Sequence, residues 1–259
     1  MARLDRMARP LNGTRAGAAI RPRPLRDASA VIGDPDALRE MAAADGYLFV
    51  RNAVSRSTAR LVRAEVLAAC ARRGWLAPDA PTHKGIARAG AAEDATQHAL
   101  LALQPDIQIR PSFGTLRTDP GLLTVLKHTF AARPASGYGD VCRLVFPAAL
   151  ERTTPPHQDH FYIRGSTAMW TAWIPLGDCP ISLGGLAVLP GSHTSGLRPH
   201  DVGEGNERAI DVSEDAGWAG ASYRLGDVLL FNALTVHRAL PNLTANRIRL
   251  SADFRYQPA

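Results

Sequence analysis

Cysteine is scarce in this chain and never clustered. There are three, Cys70, Cys142 and Cys179, and no CxxC pair. An odd, scattered set argues against a disulfide framework and against a thiolate zinc site, and makes a reducing, cytoplasmic setting the expectation. Long apolar runs are missing too: none approaches the roughly 20 residues that a membrane-spanning helix needs, so no membrane partner is expected. The N-terminal stretch MARLDRMARPLNGTRAGAAIRPRP is basic but lacks the apolar core of a secretory signal, and Asp5 interrupts the acid-poor pattern of a transit peptide. The formal charge is +6, yet the basic residues are nearly all Arg and are spread along the chain. No Lys/Arg cluster interleaved with aromatics exists, so a nucleic-acid partner is not expected either. Gly184-Gly185 and Gly191 are followed by no helix start, which removes a phosphate-cradling loop. Internal repeats are absent.

What is present is an ordinary globular composition, 46% hydrophobic and 21% charged over 259 residues, enough to bury a full core. Residues 1 to about 25, rich in Arg, Pro, Gly and Ala, read as a poorly ordered tail. The remainder, 26–259, reads as a single domain. A short helix is expected over Asp36 to Ala44, a strand at Tyr47 to Val50, and a longer helix from Ser57 to Arg73, where Leu61, Val62, Val66, Ala69 and Cys70 recur at helical spacing. A third helix is expected around Gly121 to Arg133. From about residue 137 to 259 short β-rich runs alternate with Gly, Pro, Asn and Asp: Val141 to Phe146, Ala168 to Ile174, Leu186 to Leu189, Val228 to Phe231 and Arg247 to Phe254. The expectation is a mainly β fold, a sandwich or barrel, with flanking helices and a helical N-terminal third.

The densest chemistry lies in Pro155-Pro156-His157-Gln158-Asp159-His160-Phe161-Tyr162-Ile163. In a strand, side chains alternate faces, so His157 and Asp159 point one way and Gln158 and His160 the other. An imidazole and a carboxylate one residue apart give a metal two ligands from one face. Phe161 shares that face and is a candidate substrate wall. Of the downstream histidines, His193 sits in turn sequence and His200 in a polar loop, whereas His237 follows the apolar strand Val228 to Phe231 and is the candidate third ligand. Two histidines and one carboxylate form the facial triad of non-haem Fe(II) oxygenases, although zinc hydrolases use the same set. An oxygenase drawing on 2-oxoglutarate also needs a cation for the distal carboxylate, and the planar fork of Arg suits it. Arg247, Arg249 and Ser251 share one face by period-two counting. Arg249 is the preferred clamp, Arg247 the close second, and Ser251 an added donor.

The order HQD, WTAWIPL, GGLAVLPGSH, GDVLLF, TVHRALPNLT and RIRLSADFRYQP, from about residue 140 to the end, resembles the phytanoyl-CoA dioxygenase-like family. ADGYLFVRNAV followed by a helix resembles the family's usual start. Within that family the chain is most similar to bacterial members that oxidise natural products. The resemblance implies a double-stranded β-helix (jelly roll, cupin-like) and an Fe(II)/2-oxoglutarate-dependent dioxygenase that takes O2. It would hydroxylate, or otherwise oxidise, an unactivated C–H bond of a small organic metabolite, with release of succinate and CO2. It makes His157, Asp159 and His237 the iron ligands and puts Trp173, Arg143 and Thr154 near the co-substrate or substrate. Many members carry Ser two residues after the last His; here that position is Ala239, which leaves the task to Ser251. A carboxylate at Asp159 disfavours halogenation, which needs a small residue there. Two alternatives stand beside this reading: a cupin-like zinc or manganese enzyme without 2-oxoglutarate, and a non-catalytic metal or metabolite sensor. The N-terminal helices and the loop from about Thr194 to Gly220 are expected to cover the site. Substrate identity and oligomeric state are not legible.

Overall fold

A computed structural model describes residues 20–136, 139–202 and 208–259. Local chemistry sets the helix ends. Helix α1 (Pro35–Asp45) starts where the Asp34 carboxylate accepts the backbone N–H groups of Asp36 and Ala37, has Pro35 in its first turn, and stops at left-handed Gly46. Helix α2 (Arg56–Arg72) is capped by the Ser55 hydroxyl, which accepts from Thr58 N. Then follow α3 (Ala91–Asp94), α4 (Gln97–Gln108), α5 (Pro111–Arg117) and α6 (Pro120–Phe130), the last capped by Asp119. A short α7 (Asp159–Ile163) lies far downstream.

The strands are β1 (Arg23–Pro24), β2 (Tyr47–Val50), β3 (Pro134–Ser136), β4 (Val141–Val145), β5 (Trp170–Pro175), β6 (Leu186–Val188), β7 (Asp201–Val202), β8 (Arg208–Ala209), β9 (Ala219–Gly220), β10 (Val228–Asn232), β11 (His237–Ala239) and β12 (Arg249–Pro258). They form a larger sheet in the order β2-β10-β5-β12-β3, with β4 also on β12, a smaller sheet β1-β9-β6-β11, and a β7-β8 pair. Strand β10 shows why the layers stack as they do. All of Val228 to Phe231 are buried, because both faces of the strand are covered. Val228 and Leu230 pack with Val62, Val66, Leu103 and Leu122 of the helices. Leu229 and Phe231 pack with Trp173, Val188 and Ala239, in the space between the two sheets.

The described residues form a mixed helix and sheet structure with two main sheets and helices packed against the larger one. Helices α4 and α5 lie between the expected second and third helices, in a stretch to which no helix was assigned. Pro111 stands in the first turn, where its missing N–H costs nothing, and Pro105 is carried inside α4. The sheet core is not confined to 137–259 either, since β2 pairs with β10 at the edge of the larger sheet. The expected tail lies outside the described residues up to residue 19. Its last part does not fray: β1 pairs in parallel with β9, and Leu25 is buried. The stretch around residue 157 is only partly extended. His157 makes a β-bridge, but Asp159 already opens α7, so the expected strand ends at Gln158. Of the loop expected to cover the site, residues 203–207 lie outside the described residues. Its two sides are pinned by Gln158 N donating to His200 Nε2 and by Ile210 N donating to Pro156 O.

Candidate metal centre

His157 and His237 form an antiparallel bridge. His157 N donates to His237 O at 2.9 Å and His237 N donates to His157 O at 3.0 Å. The two rings lie side by side with centroids 4.1 Å apart. Asp159 is brought to the same point by the turn into α7. His157 Nε2 and His237 Nε2 are each 3.7 Å from Asp159 Oδ1, and all three residues are buried. One ligand atom from each lies within 4.8 Å of the others.

The remaining polar atoms of the trio are already engaged. Nδ1 of His157 lies 2.8 Å from Pro155 O, and Nδ1 of His237 lies 3.0 Å from Thr235 O. Each Nδ1–H therefore donates to a carbonyl, and each Nε2 is left with its lone pair toward Asp159, the tautomer a metal requires. Asp159 Oδ2 accepts from Thr171 Oγ1 at 2.6 Å and faces Arg255 Nη2 at 3.5 Å. Burial alone would raise the Asp159 carboxyl pKa. The Arg255 charge, with His157 and His237 beside it, instead holds it well below the usual carboxylate range. For His237, burial and the neighbouring His157 pull the imidazole down to about 3, so it stays neutral at neutral pH. Two imidazole Nε2 atoms and one carboxylate oxygen converging on a buried point fit a divalent metal with imidazole and carboxylate ligands.

Beside the trio is a cavity lined by Arg143, Thr154, Leu186, Phe231, Ala239 and Arg249 among others. Arg249, 1% exposed, donates through Nε to Gly184 O at 3.0 Å and through Nη1 to Ser251 Oγ at 2.7 Å. Ser251, having accepted there, keeps its own O–H to donate. Among the described residues no carboxylate stands in ion-pair range of Arg249, and burial lowers its pKa. Arg143 is the contrast: its Nε lies 2.5 Å from Asp253 Oδ2, and that carboxylate raises its pKa. Of the cations lining this cavity, Arg143 and Arg255 have acid partners, whereas Arg249 has none among the described residues.

Arg247 does not join this face. Strand β12 begins at Arg249, and Arg247 sits before it in a bridge with Ile86, lining a separate outer groove with Asp178 and Tyr223. Period-two counting fails there because the chain is not yet in the strand. Thr154 lines the cavity and its carbonyl accepts from Ala239 N. Trp173 is fully buried between the sheets, edge-on to Tyr223, with the Arg249 guanidinium 5.8 Å from its ring. Phe161 lies in α7 and stacks on His200 with ring centroids 4.1 Å apart, while its neighbour Tyr162, 52% exposed, stands edge-on to His157. Gln158 is a bracket, donating to Gly196 O and Leu234 O and accepting from Arg198 N.

Thr171, Asp253 and Arg255 were not singled out from the sequence. A signal for two of them was present. In Arg249-Leu250-Ser251-Ala252-Asp253-Phe254-Arg255-Tyr256 every second residue is polar or charged and the others are apolar, yet all are buried. A polar stripe on a buried strand faces a site, and the counting that reached Arg249 continues to Arg255.

The family model described as Phytanoyl-CoA dioxygenase (PhyH) matches residues 43–251. A 1-deoxypentalenic acid 11-beta-hydroxylase from Streptomyces exfoliatus is 30% identical over 245 residues, covering 90% of this chain and 84% of that protein. The protein of the same name from Streptomyces arenae is 27% identical over 249 residues, with the same coverage. Among solved structures, the epimerase SnoN in complex with Fe3+, alpha ketoglutarate and nogalamycin RO is 25% identical. It superposes with a TM-score of 0.57 over 87% of this chain and 85% of that one. The non-heme alpha ketoglutarate dependent carbocyclase SnoK has the same kind of fold, with 20% identity and a TM-score of 0.59 over 86% and 84%.

Proposed function

The chain belongs to the phytanoyl-CoA dioxygenase family, and on that premise we propose that it is a non-haem Fe(II)/2-oxoglutarate-dependent dioxygenase. In this reading it hydroxylates, or otherwise oxidises, an unactivated C–H bond of a small natural-product scaffold. The two sheets facing each other across Trp173, Val188, Leu229 and Phe231 are read as a double-stranded β-helix. The hydroxylase relatives and SnoN, an enzyme of nogalamycin biosynthesis, support the substrate class.

The observation that carries the reading is the pairing of two features in one cavity: three convergent ligand atoms and a buried guanidinium with no acid partner among the described residues. His157, Asp159 and His237 would hold the iron, and Arg249 with Ser251 would hold the distal carboxylate of 2-oxoglutarate. Iron with 2-oxoglutarate and O2 supplies the oxidising power, coupled to decarboxylation of the co-substrate to succinate and CO2. The protein's own part is orientation. Pro155 O and Thr235 O fix the imidazole tautomers, Thr171 fixes the carboxylate, and Phe231 and Leu186 keep the cavity wall apolar. Thr154 and Ala239 flank the same space, so Thr154 is a further co-substrate contact, and Arg143 acts at one remove through Asp253.

The test is anaerobic absorption spectroscopy of the metal-free protein on addition of Fe(II) and then 2-oxoglutarate. A visible charge-transfer band is expected, lost in Asp159→Ala and weakened in Arg249→Ala. A folded, iron-loaded protein that gives no band would overturn the reading in favour of a metal enzyme without 2-oxoglutarate.

A further inference from the structure

Asp159 has two oxygens, and the structure treats them differently. Oδ1 faces the two Nε2 atoms. Oδ2 faces two donors, Thr171 Oγ1 at 2.6 Å and Arg255 Nη2 at 3.5 Å. Those donors are direct cross-strand partners, since Thr171 on β5 stands opposite Arg255 on β12. Side chains so placed leave the sheet on the same face and close together, so the two donors form one fork rather than two separate contacts. Arg255 is itself held. It is 2% exposed, its Nη1 donates to Gly139 O, and its Nη2 lies 3.8 Å from Asp253 Oδ2, the oxygen that also takes Arg143. The charges therefore run in line, Arg143, Asp253, Arg255, Asp159, and end on the oxygen turned away from the imidazoles.

We propose that Arg255, with Thr171, is a positioning residue that restricts Asp159 to a one-oxygen metal ligand. The inference rests on the metal-site reading above. A carboxylate free to turn would offer a metal both oxygens and occupy an extra coordination position. With Oδ2 held in the Thr171–Arg255 fork, Asp159 would offer a metal Oδ1 alone, leaving more of the ion's coordination to co-substrate. Lysine cannot replace arginine here without change, because a single ammonium cannot reach Asp159, Asp253 and Gly139 O in one plane.

Co(II) titration of the metal-free protein, followed by its visible absorption, tests this without turnover, since those bands report coordination number as well as affinity. Wild type is expected to bind Co(II). Arg255→Gln should bind at least tenfold more weakly, the range typical of lost outer partners of a metal ligand, with altered band intensity. Arg255→Lys, which keeps the charge and is the deciding variant if the glutamine form does not fold, should bind at least threefold more weakly and also show altered bands. Asp106→Asn removes the half-exposed ion pair with Arg73 between two helices and should leave affinity and spectrum unchanged. A folded Arg255 variant with wild-type affinity and spectrum would overturn the inference, as would an equal loss in Asp106→Asn. Failure of wild type itself to bind Co(II) would instead sink the metal-site reading on which the inference stands.

Discussion

Gly46 and Thr235 are 189 residues apart in sequence and joined by a buried hydrogen bond, Thr235 Oγ1 donating to Gly46 O at 2.7 Å. Thr235 O in turn accepts from His237 Nδ1. The end of the first helix is thus two hydrogen bonds from a candidate metal ligand. Gly46 holds φ +71°, and a Cβ there would lie 2.8 Å from Thr235 Oγ1 and collide with the His193 ring. Gly46→Ala is expected to cost about 2 kcal/mol or more in urea unfolding, from backbone strain and the clash together. It should also weaken Fe(II) binding by tilting the His237 ring. Unchanged stability would remove Gly46 as a fixed point.

The two histidines are joined through their backbones, so their rings can be replaced without breaking the bridge. His237→Gln is expected to fold and to unfold cooperatively, with Fe(II) affinity reduced about 100-fold or more. Isothermal titration beside a thermal melt separates the two effects. A variant that binds iron as wild type does would exclude His237 as a ligand.

The two arginines that the sequence could not rank are separated by the structure, and 2-oxoglutarate binding should separate them too. Arg249→Lys is expected to raise the Kd for 2-oxoglutarate about tenfold or more in the Fe(II) form, because the bond to Ser251 and the planar fork are lost together. Arg247→Ala, altered in a different groove, should leave Kd within about twofold. The reverse result would move the clamp to Arg247.

All three cysteines are buried. Burial raises each thiol, Cys70 to about 12 and Cys179 to about 11, with Cys142 higher still. Native protein at pH 8 should therefore resist alkylation, with all three labelled only after unfolding. Mass spectrometry after iodoacetamide treatment reads this directly, and rapid labelling of any one would show an exposed thiolate.

How much of this was legible depended on whether chemistry or packing set the feature. His157, Asp159 and His237 stood out because two imidazoles and a carboxylate are rare neighbours of apolar strands. Asp159 joined the trio although the strand assumed for it ends one residue earlier, because a turn into a helix brings the carboxylate to the same side. Arg247 was misplaced for the converse reason: period-two counting applies only inside a strand, and β12 starts at Arg249. Helices α4 and α5 were not assigned; they form across Pro105 and Pro111, where tertiary packing of Leu103, Ile107, Phe113 and Leu116 overrides local propensity. Arg255 was legible in the polar stripe of β12 but was not followed that far, whereas its cross-strand partner Thr171 carries no comparable signal on its own strand.

Strand β12 carries Arg249, Ser251, Asp253 and Arg255 at every second position. The six-residue step from the first arginine to the last spans about 20 Å of extended backbone. The strand therefore works as a ruler, whose graduations are peptide units rather than side chains. Changing a residue can alter what is done at one mark, but loss or gain of a single residue would reverse every mark beyond it. Variation in what the enzyme oxidises must then be sought in the loops around the cavity, while the ruler keeps its length.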